Sequence, residues 1–232
     1  MPHEFELRKE VVLEATPEQV WAAIATAEGN AAWFMTIDDI DPDAPNVLTW
    51  NPPHHLQVDA GTQAFEYVVE ARDGGTAVLR FVHSGVLDDT DDTGWAGEYV
   101  DLTGKGWDLY FATLAQYFRH FAGRRATYVE ANGPKATDEK ARAALRAEFG
   151  LGDPPSVGEP VRLTLGDQAV EGEVDYTEHG GLGIRTADSL IRFHLRDRIG
   201  MSVAVSQHVY GTPVDAERLT RSWEDWLNRV LG

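Results

Sequence analysis

An α+β fold, with antiparallel sheet and one long helix laid across it, is predicted by three features of the sequence. The first is the stretch 103–121, where Trp107, Phe111, Leu114, Phe118 and Phe121 recur at helical spacing. Tyr110 and Tyr117 widen that stripe, and Lys105, Asp108, Gln116 and Arg119 mark the opposite face. Each such ring gains ~1.5–3 kcal/mol on full burial, so a stripe this wide needs a sheet beneath it. The second feature is period-two alternation in 63–71 and 76–85 on either side of Asp73-Gly74-Gly75, a hairpin signal. The third is that the second half again runs strands into a terminal helix with tryptophans on one face.

The elements follow in order. Residues 4–14 read as a strand, with Phe5, Leu7, Val11, Val12 and Leu13 among charges. Thr16, Pro17 and Gln19 compose a capping box with proline in the first helical position, and Val20, Trp21 and Ile24 give that helix its apolar face. Glu28-Gly29-Asn30 reads as a break, 31–34 as a second short helix, and the acidic stretch 38–45 as a loop. Short strands are expected at 46–50 and 55–60, separated by Pro52-Pro53, which has no N–H to donate. On the strand 76–85, Ala77, Leu79, Phe81 and His83 share one face. The acidic loop 88–92 leads to the long helix, with Thr103 as its cap and Gly123 at its end.

Residues 124–132 are a connector or a further strand. A helix is expected over 137–149, ended by Gly150, and strands near 160–165, 169–176, 182–186, 190–195 and 201–209. The last helix opens at Thr212-Pro213-Val214-Asp215 and carries Leu219, Trp223, Trp226, Leu227 and Val230. Phe81-Val82-His83 and Gln207-His208-Val209 occupy matching places, each on a strand leading to a helix. Either the second half is a degenerate copy lacking the opening strand and helix pair, or the two halves share only ordinary β–α patterning.

Composition bounds the function. The chain has 232 residues and a net charge of −18, from 38 acidic against 20 basic residues. Phosphate contacts require a basic face, so nucleic-acid binding is excluded. No apolar run is long enough to span a membrane, and the first residues lack a secretory signal, so a cytoplasmic location is expected. With no cysteine, disulfides, thiolate catalysis and zinc–thiolate sites are absent.

Several segments, in order, carry a family resemblance: Thr16-Pro17-Glu18-Gln19-Val20-Trp21, Ala32-Trp33-Phe34, Trp50-Asn51-Pro52-Pro53-His54, Gly74-Gly75-Thr76, Phe81-Val82-His83-Ser84-Gly85 and Gly106-Trp107-Asp108. With these, the first ~125 residues resemble the SRPBCC (START/polyketide-cyclase-like) superfamily, in the branch related to the activator of heat-shock-protein ATPase. The resemblance implies a helix-grip fold over 1–125, a curved antiparallel sheet around a long C-terminal helix with a cavity between them. It further implies a second, partial copy of that fold over 134–232, packed on the first, of a kind found in bacterial members. One departure is the short acidic segment 38–46, where the family carries a glycine-rich hairpin, and it leaves the cavity mouth open to question.

The candidate ligand-binding residues are Trp33, Trp50, Phe65, Tyr67, Phe81, His83, Trp107, Tyr110 and Phe111, which either pack as plain core or line a pocket. His83 is either a proton donor to a bound carbonyl or a half-buried histidine satisfied by a neighbour. His54 and His55 are adjacent, so on a strand they face opposite ways and cannot chelate together. Asp89, Asp91, Thr93 and Gly94 fit the first half of a calcium loop, but Val100 stands where a bidentate carboxylate is required. No nucleophile elbow, P-loop or dinucleotide fingerprint occurs, and no cofactor or metal is expected. The expected function is binding of a small hydrophobic molecule without catalysis. A cyclase/aromatase-like enzyme working in the same cavity, and a co-chaperone-like protein-interaction module, are the alternatives.

Overall fold

The computed structural model describes residues 2–88, 95–211 and 213–232. The chain divides into two compact units, residues 1–123 and 124–232.

In the first unit the elements run β1 (Pro2–Leu13), α1 (Pro17–Ala25), α2 (Ala27–Ala31), β2 (Val47–Asn51), β3 (His55–Asp59), β4 (Gln63–Arg72), β5 (Thr76–Asp88) and α3 (Trp95–Phe121). The five strands form one antiparallel sheet in the order β1-β5-β4-β3-β2. The last strand thus lies beside the first, and the long helix is the next element in the chain, which is the expected helix-grip topology.

Local chemistry fixes the helix starts. Thr16 Oγ1 accepts from the Gln19 N–H at 3.4 Å, and Gln19 Oε1 accepts from the Thr16 N–H at 2.8 Å, closing the expected capping box. Glu28-Gly29-Asn30 lies within α2 rather than in a break. Thr26 ends α1 and at once caps the next helix, its hydroxyl accepting from the Gly29 N–H at 3.0 Å. Asn30 is buried and donates through Nδ2 to the Ile24 and Thr26 carbonyls. Gly29 is required there, because a Cβ would lie 2.0 Å from the Ala22 carbonyl oxygen.

The long helix starts eight residues before the expected Thr103, which is an interior position of a 27-residue helix. Its inner face carries Trp107, Phe111, Leu114, Phe118 and Phe121, all buried as the stripe predicts. Lys9 Nζ meets Asp108 Oδ1 at 2.6 Å and Arg119 Nη2 meets Glu14 Oε1 at 2.9 Å, so both bridges fasten α3 to β1 or its end.

The second unit runs β6 (Ala126–Asn132), α4 (Asp138–Phe149), β7 (Pro160–Leu165), β8 (Gln168–Tyr176), β9 (Leu182–Thr186), β10 (Ser189–His194), β11 (Ala204–Tyr210) and α5 (Ala216–Leu231). Its six strands are ordered β6-β11-β10-β9-β8-β7, the same scheme of first strand beside last. A second copy of the fold is therefore present. It is partial in its helices, with α4 alone where the first unit has α1 and α2. It does not lack an opening strand: β6 fills that role and pairs with β11 over seven residues, from Ala126↔Tyr210 to Asn132↔Ala204. The unit accordingly begins at Arg124, not at the expected 134. Thr137, expected as the first residue of the helix, caps α4 from outside it, and Gly150, at φ 66°, ends it as predicted. Asp215 caps α5 by accepting from the Arg218 N–H at 3.0 Å, which leaves Pro213 outside the helix; Thr212 is outside the described residues.

The second core joins α4 and α5 to the sheet through Leu145, Phe149, Ile184, Phe193, Trp223 and Leu227. Arg192 and Asp175 form a bidentate ion pair at 2.9 Å for both contacts, with side chains 1% and 3% exposed. Gly183 makes room for it: a Cβ there would lie 2.7 Å from both Arg192 Nη1 and Asp175 Oδ1.

Candidate functional site

The inner face of the first sheet brings most of the expected site residues together. Phe65 and Tyr67 come from β4, Phe81 and His83 from β5, and Trp107, Tyr110 and Phe111 from α3. Phe81 and Trp107 are the floor, with ring centroids 4.3 Å apart and both side chains buried. Phe111 stacks on Trp107 at 5.5 Å and on Trp33 at 5.8 Å. Trp33 is fully enclosed and donates through Nε1 to the Ala23 carbonyl at 2.9 Å, which anchors it as core. Phe65, Tyr67 and Tyr110 are only half-buried and stand around that floor. Burial pushes the Tyr67 phenol pKa up.

Trp50 does not join the group. Its ring contact is with Trp21 of α1, edge-on at 4.9 Å, because β2 is the far strand of the sheet from β5. Phe34 joins instead, stacked on Trp107 at 5.5 Å and edge-on to Tyr110 at 4.6 Å. It was legible only as the neighbour of Trp33 in the short aromatic run.

His83 is held from both sides. The Trp107 Nε1–H donates to His83 Nδ1 at 3.0 Å, so that nitrogen carries no proton. Nε2 then carries it and donates to Gln63 Oε1 at 2.9 Å. Burial holds the imidazole pKa at about 4, so the ring is neutral near pH 7. Gln63 was not among the expected site residues. The signal for it was present, since it sits two and four residues before Phe65 and Tyr67 and hence on their face.

The second unit repeats this arrangement with other chemistry. Trp223 Nε1 of α5 donates to Gln207 Oε1 at 2.8 Å, and Gln207 Nε2 donates to Ser189 Oγ at 3.0 Å. The registers match as well. Gln63 lies opposite Gly85, two residues past His83, and Ser189 lies opposite Val209, two residues past Gln207. The equivalent of His83 is thus Gln207 and not His208, which the paired motifs suggested. A slip of one residue turns a strand side chain to the other face, and His208 points there.

Elsewhere, His55 Nε2 meets Glu66 Oε1 at 2.8 Å and His54 Nδ1 meets the Val69 carbonyl at 3.2 Å, so the pair is split as expected. No group of three or more histidine or acidic residues has metal-holding geometry among the described residues. Asp89, Asp91, Thr93 and Gly94 lie outside the described residues. No helix among the described residues is long and apolar enough to cross a membrane.

No protein-family model matches the chain, and no curated protein matches it. Solved structures do. A Bacillus halodurans protein is similar at 24% identity, over 49% of this chain and 96% of that one, with a TM-score of 0.40. The Aha1 dimer from Colwellia psychrerythraea is similar at 16% identity, over 49% of this chain and 96% of that one, with a TM-score of 0.38. The di-domain ARO/CYC BexL is similar at 14% identity over 90% of this chain and 86% of that one, with a TM-score of 0.38.

Proposed function

We propose that the first unit binds a small, mainly apolar molecule against the half-buried rings of Phe34, Phe65, Tyr67 and Tyr110, and releases it chemically unchanged. The observation that carries this reading is the set of rings itself. Four aromatic side chains, from β4, α3 and the turn after α2, remain partly exposed around the Phe81–Trp107 floor, on the face that the sheet and α3 share. An aromatic rim over an apolar floor is suited to a flat or branched hydrocarbon body. The resemblance to SRPBCC proteins, read from the sequence, points to the same face.

The state of His83 favours binding over chemistry. A proton donor to a bound carbonyl needs a proton aimed at that carbonyl. The one proton of His83 is already committed to Gln63, and the opposite nitrogen is occupied by Trp107. Its depressed pKa of about 4 keeps imidazolium scarce at neutral pH. The cysteine-free sequence fits a cytoplasmic setting for this binding.

Calorimetric titration with 2-naphthol tests the reading. The expected result is saturable binding that weakens about tenfold or more in Phe65→Ala, since ~1.5 kcal/mol of ring contact is lost. His83→Gln is expected to change affinity by at most two- to tenfold, the range of one neutral hydrogen bond at ~0.5–1.5 kcal/mol. Equal affinity in the parent protein and Phe65→Ala contradicts the proposal.

A further inference from the structure

Among the described residues of the second unit, one cleft of about 790 Å³ and another of about 410 Å³ border α5. The larger is walled by Arg229 and Glu148, which are paired at 2.8 Å, and by Arg162 and Glu171, paired at 3.1 Å. Both of its arginines are thus already paired, and Asp225 adds one more carboxylate to the wall. The smaller lies between the inner face of the second sheet and α5, and its wall includes Gln207, Ser189 and Thr186 as well as Val209 and Leu219.

Gln207 is 93% buried there, from an exposure of 7%, and only part of its hydrogen-bonding capacity is used. An amide has two N–H donors and two acceptor sites. Ser189 takes one N–H and Trp223 fills one acceptor site; among the described residues nothing accepts the second N–H. Ser189 is likewise buried, and its hydroxyl donates to Asp188 Oδ1 at 3.0 Å while accepting from Gln207. In the first unit the matching position is His83, which has a single N–H and gives it to Gln63. Gln207 therefore retains a spare donor that its counterpart does not have.

The charged groups at this cleft decide what approaches it. Arg218 is paired with Asp167 at 3.2 Å, and Asp215 serves as the cap of α5. Asp188 accepts from Thr186 and Ser189 and has no cationic partner among the described residues. Carboxylates thus outnumber cations around the opening, which disfavours an anion. A volume of 410 Å³ is within the range of small-molecule sites.

We infer that this cleft is a second binding site, separate from the aromatic face of the first unit. Its ligand is an uncharged small molecule with an apolar body and one carbonyl or ether oxygen that accepts the spare Gln207 N–H. The body lies against Val209 and Leu219, and the oxygen points to the strand wall.

The test is a titration of the 15N-labelled full chain with propiophenone, a neutral ketone, and in parallel with 3-phenylpropionate, an anion of similar size. The expected result for the ketone is saturable shifts at the Gln207 side-chain NH2 and at the Val209 and Leu219 amides, with a dissociation constant of about 1 mM or tighter. The anion is expected to bind at least fivefold more weakly. Gln207→Glu keeps an acceptor for Trp223 but removes the amide donors, and is expected to weaken ketone binding by two- to tenfold. Because that variant also alters the core, Val214→Trp is the second probe: Val214 lines the cleft and is 38% exposed, so an indole ring there obstructs the opening. This variant is expected to abolish the shifts at Gln207 while leaving those of Trp107 and Tyr110 unchanged. Shifts confined to the first unit, shifts that persist in Val214→Trp, or equal affinity for the anion overturn the proposal. None of these results bears on 2-naphthol binding by Phe65, so the two sites succeed or fail separately.

Discussion

His83 and Gln207 solve one problem in two ways. A tryptophan on the helix brings a buried N–H to the sheet, and an unpaired buried donor costs ~1–3 kcal/mol. An imidazole or a primary amide accepts that N–H and donates an N–H of its own to the neighbouring strand. His83→Gln is therefore expected to keep the first clasp, with a melting temperature within a few degrees of the parent. His83→Leu strands both Trp107 Nε1 and Gln63 Oε1 and is expected to cost ~2–4 kcal/mol, measured by urea unfolding. A pH dependence accompanies this. The folded pKa of His83 is about 4 against an ordinary 6.5, so the unfolded chain binds the proton more readily between those values. The contribution is complete above pH 6.5 and is lost as pH falls towards 4. His194 lies half-buried with Nε2 2.9 Å from Ser206 Oγ, and burial, then Arg196 and Arg192, hold it at about 4 as well. Stability should thus fall steeply from pH 6.5 to 4, and His83→Gln should flatten that slope without abolishing it. The sequence exposed His83, Phe81 and Trp107 as neighbours in pattern. It did not expose the bond between histidine and tryptophan, which joins residues 24 apart on different elements.

The elements show where local signals decide and where packing overrides them. The capping box at Thr16, the cap at Thr137 and the glycine stop at Gly150 all act as their residues dictate. The start of α3 does not follow them. Thr103 is a competent cap just ahead of the aromatic stripe, so the pattern favoured a start there, yet the helix begins at Trp95 and includes Gly97, which lowers helix propensity. Burial of Ala96 and of the following turns against β1 compensates, and Gly104 sits beneath Leu7, 3.5 Å from where a Cβ would be. The Arg192–Asp175 pair was not legible at all, because partners on β10 and β8 meet across β9. Removal of one partner leaves a buried charge uncompensated, so Asp175→Ala is expected to cost ~3–5 kcal/mol. Differential scanning calorimetry checks it, and a loss under 1 kcal/mol would mean that water reaches Arg192.

At the scale of the whole molecule, the duplication is the main regularity. Each unit begins with a strand that pairs beside its last strand and ends with a helix carrying a clasping tryptophan. The second opening strand was only half legible. The stretch 124–132 is short and bounded by Arg124-Arg125 and Asn132-Gly133, so it reads equally as a connector or a further strand, and its role as the opening strand is not apparent. Its period-two pattern was present in Thr127, Val129 and Ala131, and the last two enter the core. A fragment over 134–232 lacks β6 and bares the edge of β11, whereas one over 124–232 retains both. The longer fragment is expected to unfold at the higher urea concentration, and the shorter one to aggregate or lack a cooperative transition. A cooperative, soluble 134–232 fragment would remove β6 from the second core.

The claim that the protein is a binder of a small apolar molecule is tested most directly by native mass spectrometry of the full chain purified from its own organism. The account predicts a complex with a defined added mass, a ligand recovered intact and apolar on denaturation, and loss of that added mass in Phe65→Ala. Recovery of the bare chain mass alone, or of a molecule that the parent protein converts and His83→Gln does not, would contradict it.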